Sequence, residues 1–211
     1  MKPLPVLPDE ARWRLFRTAE QWFDRGRAAL FDAIPCRRGC SRCCIGPFAI
    51  TILDHRELQQ GLANLPAHQR GEIESRASAQ IANIEQRFPE LTASPYLDQW
   101  TSSDVDALVT AFADLPCPAL DEDGSCLVYA HRPLTCRMMG LPMEMEELTF
   151  GACEIQTSVP IVRMPLALRE EEDRIADEES VQLDREVVAT TRPGEEILLP
   201  YGFMPHISPA T

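Results

Sequence analysis

Eight cysteines stand in this 211-residue sequence, and they fall in two runs. The first is Cys36-x3-Cys40-x2-Cys43-Cys44. The second is Cys117, then Cys126 after eight residues, Cys136 after nine more and Cys153 after a further sixteen. Thiolates are soft donors, and the Cys40-x2-Cys43 spacing lets two of them from one loop meet a single ion at about 2.3 Å. Gly39, just before Cys40, relaxes the backbone so that thiols can turn inward. Distant cysteines would then complete the donor set and tie the two runs together. The adjacent pair Cys43-Cys44 points its side chains in different directions along an extended chain, so the two can serve different ions, or one can ligate while the other packs.

Sulfur-only ligation suits a zinc ion or an iron–sulfur cluster equally. Eight thiolates permit two four-cysteine sites, or one such site with further thiols beside it, and spacing does not choose. Disulfides fit poorly: a bridge between neighbouring residues is strained, and in a reducing compartment surplus cysteines serve as ligands or nucleophiles. The triad Cys36-x3-Cys40-x2-Cys43 also matches the spacing of radical S-adenosylmethionine enzymes, but the barrel of alternating strands and helices that those enzymes need is not foreshadowed here. His131, midway between Cys126 and Cys136, is a candidate substitute ligand, although a loop histidine is more often solvated. Arg132 and Arg137 beside Cys136, and Arg37, Arg38 and Arg42 in the first run, are candidates to donate to thiolates and offset their charge. Asp121 is expected to build the turn before Gly124, and Tyr129 to pack over the cluster. No nucleophile–base pair, phosphate-cradling glycine loop or paired-carboxylate motif is recognised, so nothing demands an enzyme.

Composition narrows the class further. Hydrophobic residues at 45% and charged residues at 25% are those of a globular protein. A net charge of −13 argues against a nucleic-acid partner, because phosphate contacts need a basic stripe. No apolar run reaches the length of a membrane span, and the opening MKPLPVLPDEARWRLF lacks the unbroken apolar core of a secretory signal. The expected location is the cytoplasm, and the expected partner is a metal ion rather than a nucleic acid or a membrane.

The elements that must position the cysteines are helices. Residues 8–34 have an amphipathic helical pattern, with Phe16, Ala19, Phe23, Leu30 and Ile34 on one face and Pro35 at its end. Thr51 and Asp54 form a capping pair for a short helix bearing Leu58, Leu62 and Leu65. Ile73, Ala77, Ile81, Ile84 and Phe88 share a face over 67–88, and Pro89 stops that helix. Ser102 and Ser103 are candidate caps for a helix carrying Val105, Leu108, Val109 and Phe112. Leu127-Val128-Tyr129 suggests a short extended piece, and Pro133 opens a short helix with Cys136 and Arg137. Residues 169–186 are acidic and helical, expected as a solvated face, and the end from Pro193 is expected to lie extended along the body or frayed. These features predict a mainly α chain: a helical metal-binding domain over 1–168, organised by irregular cysteine-rich loops around a metal centre, then an acidic helical segment and a Pro/Gly-rich tail over 169–211.

The two runs resemble the YkgJ-type cysteine-cluster family. Cys36-x3-Cys40-x2-Cys43-Cys44 followed by Ile45-x-Pro47 is similar to its leading knuckle. Cys117-Pro118-x-Leu120-Asp121-x2-Gly124-x-Cys126-x-Val128-Tyr129-x2-Arg132-Pro133-x2-Cys136-Arg137 is similar to its second signature, and Cys153 sits where many relatives carry a last cysteine. The similarity covers 36–153. It implies chelation of zinc or iron, with Cys36, Cys40, Cys43, Cys44, Cys117, Cys126, Cys136 and Cys153 as the donor set. An iron–sulfur redox or electron-transfer role is one alternative. Another is an accessory role in methyl transfer or protein modification, since related clusters accompany flagellin lysine methylases.

Overall fold

A computed structural model describes residues 9–29, 39–141, 143–145, 148–150, 165–190 and 192–207. The chain is mainly α-helical. Its contacts group into two compact units, Met1–Cys43 with Leu134–Thr190, and Cys44–Pro133 with Thr191–Thr211.

In the first unit, helix α1 (Asp9–Ala29) packs against α6 (Leu134–Met138) and α7 (Leu166–Thr190), and a small hairpin of β2 (Met143–Met145) and β3 (Leu148–Phe150) lies between those two in sequence. The buried face of α1 is Arg12, Leu15, Phe16, Ala19 and Trp22, a stripe at helical spacing. Trp22 is fully buried and Phe23 only partly so: neighbouring helical residues differ by about 100° around the axis, and the aromatic that points at α7 is the one that closes the core. The Trp22 indole N–H donates to the Leu168 carbonyl at 2.7 Å, satisfying a polar group that would otherwise be costly to bury. Leu30, Ile34 and Pro35 lie outside the described residues.

Helix α7 is acidic, yet it is not simply a solvated rod. Leu168, Ile175, Gln182, Leu183 and Glu186 are buried, and the first three recur every seven residues, so each falls on the side facing α1. Arg25 of α1 and Glu171 of α7 form an ion pair at the rim of that packing.

In the second unit, β1 (Ala49–Thr51) runs antiparallel to β4 (Glu196–Leu198), with Ile50 opposite Ile197. Helix α2 (Ile52–Ala63) starts at the expected cap: Asp54 N–H donates to Thr51 Oγ1 and Thr51 N–H donates to Asp54 Oδ2. Helix α3 (Ala67–Arg87) follows the predicted face, burying Ile73, Ala77 and Ile84. After the single turn α4 (Glu90–Ala93), helix α5 (Ser102–Ala111) is capped by Thr101, one residue before the two predicted serines, because Asp104 three residues on completes a reciprocal box with it.

The C-terminal segment, described as far as residue 207, follows the first of the two expectations: it lies along the body and is packed into its core. Ile197, Leu198, Leu199, Tyr201 and Phe203 are all buried; β4 joins β1, and the turn α8 (Leu199–Gly202) lies against α2 and α3. An apolar run of this density gains more from burial than a proline- and glycine-flanked tail gains from chain freedom. A Cβ on Gly202 would stand 2.5 Å from Ile50 Cδ1 and 2.8 Å from Leu58 Cδ1, so a larger residue there would have to push those side-chain ends aside. Asp98 holds the approach to β4, accepting the backbone N–H groups of Glu195 at 2.8 Å and Glu196 at 3.3 Å.

Phe203, 1% exposed, provides the test of this docking. Phe203→Ala is expected to lower unfolding free energy by about 3–5 kcal/mol in urea titrations; a frayed tail would make the substitution silent.

Candidate metal centre

From Gly39 onward the first cysteine run is a turn. Gly39 adopts φ +84°, a left-handed conformation that favours glycine, and Arg42–Cys44 form one turn of 3-10 helix. Cys40 and Cys43 belong to the first unit, and Cys44 to the second.

From Cys44 onward the chain lies beside a segment distant in sequence. Cys117 N–H donates to the Cys44 carbonyl at 2.7 Å, Gly46 N–H donates to the Leu115 carbonyl at 2.7 Å, and Ile45 and Pro116 form an antiparallel bridge. Within the second unit, then, backbone hydrogen bonds bring Cys44 of the first run alongside Cys117 of the second.

Cys117 opens a knuckle, Cys117-Pro118-Ala119-Leu120. Leu120 pairs with Cys126 across a tight turn in which Asp121 N–H donates to the Ser125 carbonyl and Gly124, at φ +80°, donates to the Asp121 carbonyl. Asp121 thus builds the turn, as expected; its Oδ1 accepts the Glu122 N–H. The turn brings Cys126 close enough to Cys117 for the two sulfurs to repel when charged.

Burial pushes the Cys117 thiol up to about 12, and the neighbouring Cys126 adds to the rise. The Ala119 and Leu120 backbone N–H groups and the Arg76 guanidinium pull the other way. A buried thiol beside a second thiol, with N–H donors aimed at the first, is an arrangement that a cation would complete. A bound cation would displace the proton and offset the charge of the pair, and the N–H groups would then bond a metal-bound thiolate. The donor chemistry present here therefore fits zinc or iron.

Cys136 lies on α6 in the first unit. Its neighbour Arg137 is buried, donates Nη1 to Glu20 Oε2 at 2.7 Å and lies 5.4 Å from the Phe16 ring centroid. This contact fastens α6 to α1. Arg132 is buried in the second unit, with Nη1 donating to the Tyr129 carbonyl and its guanidinium stacked 4.0 Å from the Tyr129 ring centroid. Tyr129 itself is 53% exposed, so it backs Arg132 on the surface instead of sealing the core. The extended piece expected at Leu127–Tyr129 is instead a turn running into 3-10 helix at Tyr129–His131, with His131 N–H donating to the Val128 carbonyl.

His131 is held on α2. Its Nδ1 lies 3.0 Å from Glu57 Oε1 and its Nε2 3.3 Å from Asn64 Nδ2. Gly61 makes room for it, since a Cβ there would stand 2.7 Å from that of His131.

Cys40, Cys43, Cys44, Cys117, Cys126 and Cys136 are reduced, and each residue as a whole keeps some solvent exposure, even Cys117, whose thiol is raised by burial. Cys36 and Cys153, with Arg37 and Arg38, lie outside the described residues. Among the described residues no group of three or more His, Cys, Asp and Glu side chains gathers tightly enough to hold an ion. Among the described residues, the structure does bring Cys117 and Cys126 near each other.

Two residues on α3 escaped the sequence reading. Arg76 donates Nη1 to the Leu120 carbonyl and Gln80 donates Nε2 to the Pro116 carbonyl, both at 2.8 Å. Their i, i+4 spacing shows a shared helix face, but nothing in the sequence marks what that face meets.

A mainly helical chain whose irregular turns carry reduced thiols belongs to the class of cysteine-cluster proteins. The family model described as "CxxCxxCC: Putative zinc- or iron-chelating domain" matches residues 35–154, more than half of the sequence, and the chain belongs to that family. Its first cysteine spacing is one residue longer than that pattern, three residues separating Cys36 from Cys40. Comparison with curated proteins and with solved structures gave no match. No helix among the described residues is long and apolar enough to cross a membrane.

The raised Cys117 value has a sign that can be checked. The folded protein favours the neutral thiol, so this group stabilises metal-free protein below the ordinary thiol value of 9.0, and that contribution is lost as pH rises toward about 12. The melting temperature of chelator-treated protein is expected to fall more steeply over this range than that of Cys117→Ser. Parallel curves would contradict the burial of this thiol.

Proposed function

We propose that this protein is a metalloprotein that holds zinc or iron through cysteine thiolates drawn from Cys36, Cys40, Cys43, Cys44, Cys117, Cys126, Cys136 and Cys153. The observation that carries the reading is the knuckle at Cys117: a buried thiol beside a second thiol, facing two backbone N–H donors. Such N–H groups orient a metal-bound thiolate and moderate its charge. The family, described by zinc or iron chelation, supports the same chemistry.

The metal's contribution is cohesion. A structural zinc adds folding free energy on the order of 10 kcal/mol, and here it would act on turns that have little regular structure to hold them. Arg132 and Arg137 support this role by bracing, one on Tyr129 and the other on Glu20.

Anaerobic purification followed by elemental analysis and a visible spectrum tests the reading. Zinc would give a colourless protein with stoichiometric metal, and an iron–sulfur cluster a brown one through sulfur-to-iron charge transfer. Cys40→Ala and Cys126→Ala are each expected to lose metal and to melt at lower temperature. Wild-type metal content and melting temperature in both variants would overturn the assignment.

A further inference from the structure

We propose that Arg76 is a positioning residue of the thiolate centre, fixing the Cys117 knuckle from α3 and supplying the positive charge that balances its sulfurs. This inference rests on the thiolate-metal reading above.

The geometry is a clamp with two jaws. Arg76 and Gln80 stand one helical turn apart on α3, and their side chains grip carbonyls on either side of Cys117, Leu120 after it and Pro116 before it. Within the knuckle the Cys117 carbonyl accepts the Leu120 N–H and the Ala119 carbonyl accepts the Leu127 N–H, whereas the Leu120 and Pro116 carbonyls take side-chain donors. Those two carbonyls need donors from elsewhere, and α3 provides them. Arg76 is further steadied by a bond from Nε to the Glu72 carbonyl at 3.4 Å, which aligns the side chain along the helix.

Gln80 and Arg76 are not equivalent. Both offer an N–H to a carbonyl, but only Arg76 carries charge, and its 2.8 Å bond to the Leu120 carbonyl places that charge against the Cys117–Leu120 knuckle. Four thiolates around a divalent cation leave a net charge of about −2, in a chain whose formal charge is already −13. A fixed cation beside the sulfurs reduces that excess without competing for the metal, since arginine neither ligates nor loses its proton under ordinary conditions. Arg76 lies outside both cysteine signatures, so its place beside the knuckle is a property of the fold.

The test uses the full chain, zinc alone as the probe, and a chromophoric chelator as competitor. Arg76→Gln keeps a short amide donor and removes the charge; Arg76→Lys keeps the charge and loses the planar fork. Zinc affinity is expected to fall about 10–100-fold in Arg76→Gln and to recover most of the way in Arg76→Lys, with both metal-free variants folded by circular dichroism. If Arg76→Gln cannot fold without metal, the comparison of Arg76→Lys with Gln80→Ala replaces it, and the lysine variant should bind zinc at least as tightly as the alanine variant. Wild-type affinity in Arg76→Gln would overturn the inference. So would an equal loss in the glutamine and lysine variants, which would leave Arg76 a clamp without an electrostatic part. Failure of the wild-type chain to bind zinc would strike the thiolate-metal reading itself, a separate outcome.

Discussion

Backbone pairing between Cys44–Gly46 and Leu115–Cys117 is the constraint on which the second unit's chemistry depends. It joins the last cysteine of one run to the first cysteine of the next, although α2, α3, α4 and α5 intervene. Once that pairing forms, the Cys117 thiol is buried, and the turn closed by Leu120 and Cys126 brings a second sulfur to it. Two sulfurs so placed cannot both ionise cheaply. The knuckle is thus stable as neutral thiols or as metal-bound thiolates, and poorly so as a bare charged pair.

The rest of the second unit works to keep that pairing in place. Helix α3 contributes Arg76 and Gln80 to the knuckle on one side and Ile73, Ala77 and Ile84 to the core on the other. The C-terminal segment, which lies beyond the family match, supplies β4 and α8 and closes the core with Phe203. His55 of α2 lies against the same segment, its Nε2 2.9 Å from the Met204 carbonyl, and burial lowers its pKa, consistent with a neutral ring in that position. A domain defined by its cysteines therefore depends on residues well outside them.

Local signals in the sequence transferred well to the structure. The Thr51–Asp54 cap, the buried face of α3, the left-handed Gly39 and the Asp121 turn each follow from chemistry within a few residues, and each is found. Features that depend on distant partners did not transfer. The pairing of β1 with β4 joins two three-residue strands from opposite ends of the unit, too short to show a period of two. The acidic run of α7 hid a seven-residue recurrence of Leu168, Ile175 and Gln182. At the proposed centre the candidate donors are marked by cysteine spacing, while Arg76, the residue proposed to balance their charge, is not, because a helix shows its own periodicity and not the identity of its neighbour.

X-ray absorption at the edge of whichever metal copurifies tests the central claim most directly, since it counts the atoms bound to the ion without regard to the fold. Sulfur alone in the first shell, at about 2.3 Å for zinc, is the predicted result. A shell dominated by nitrogen or oxygen would contradict it.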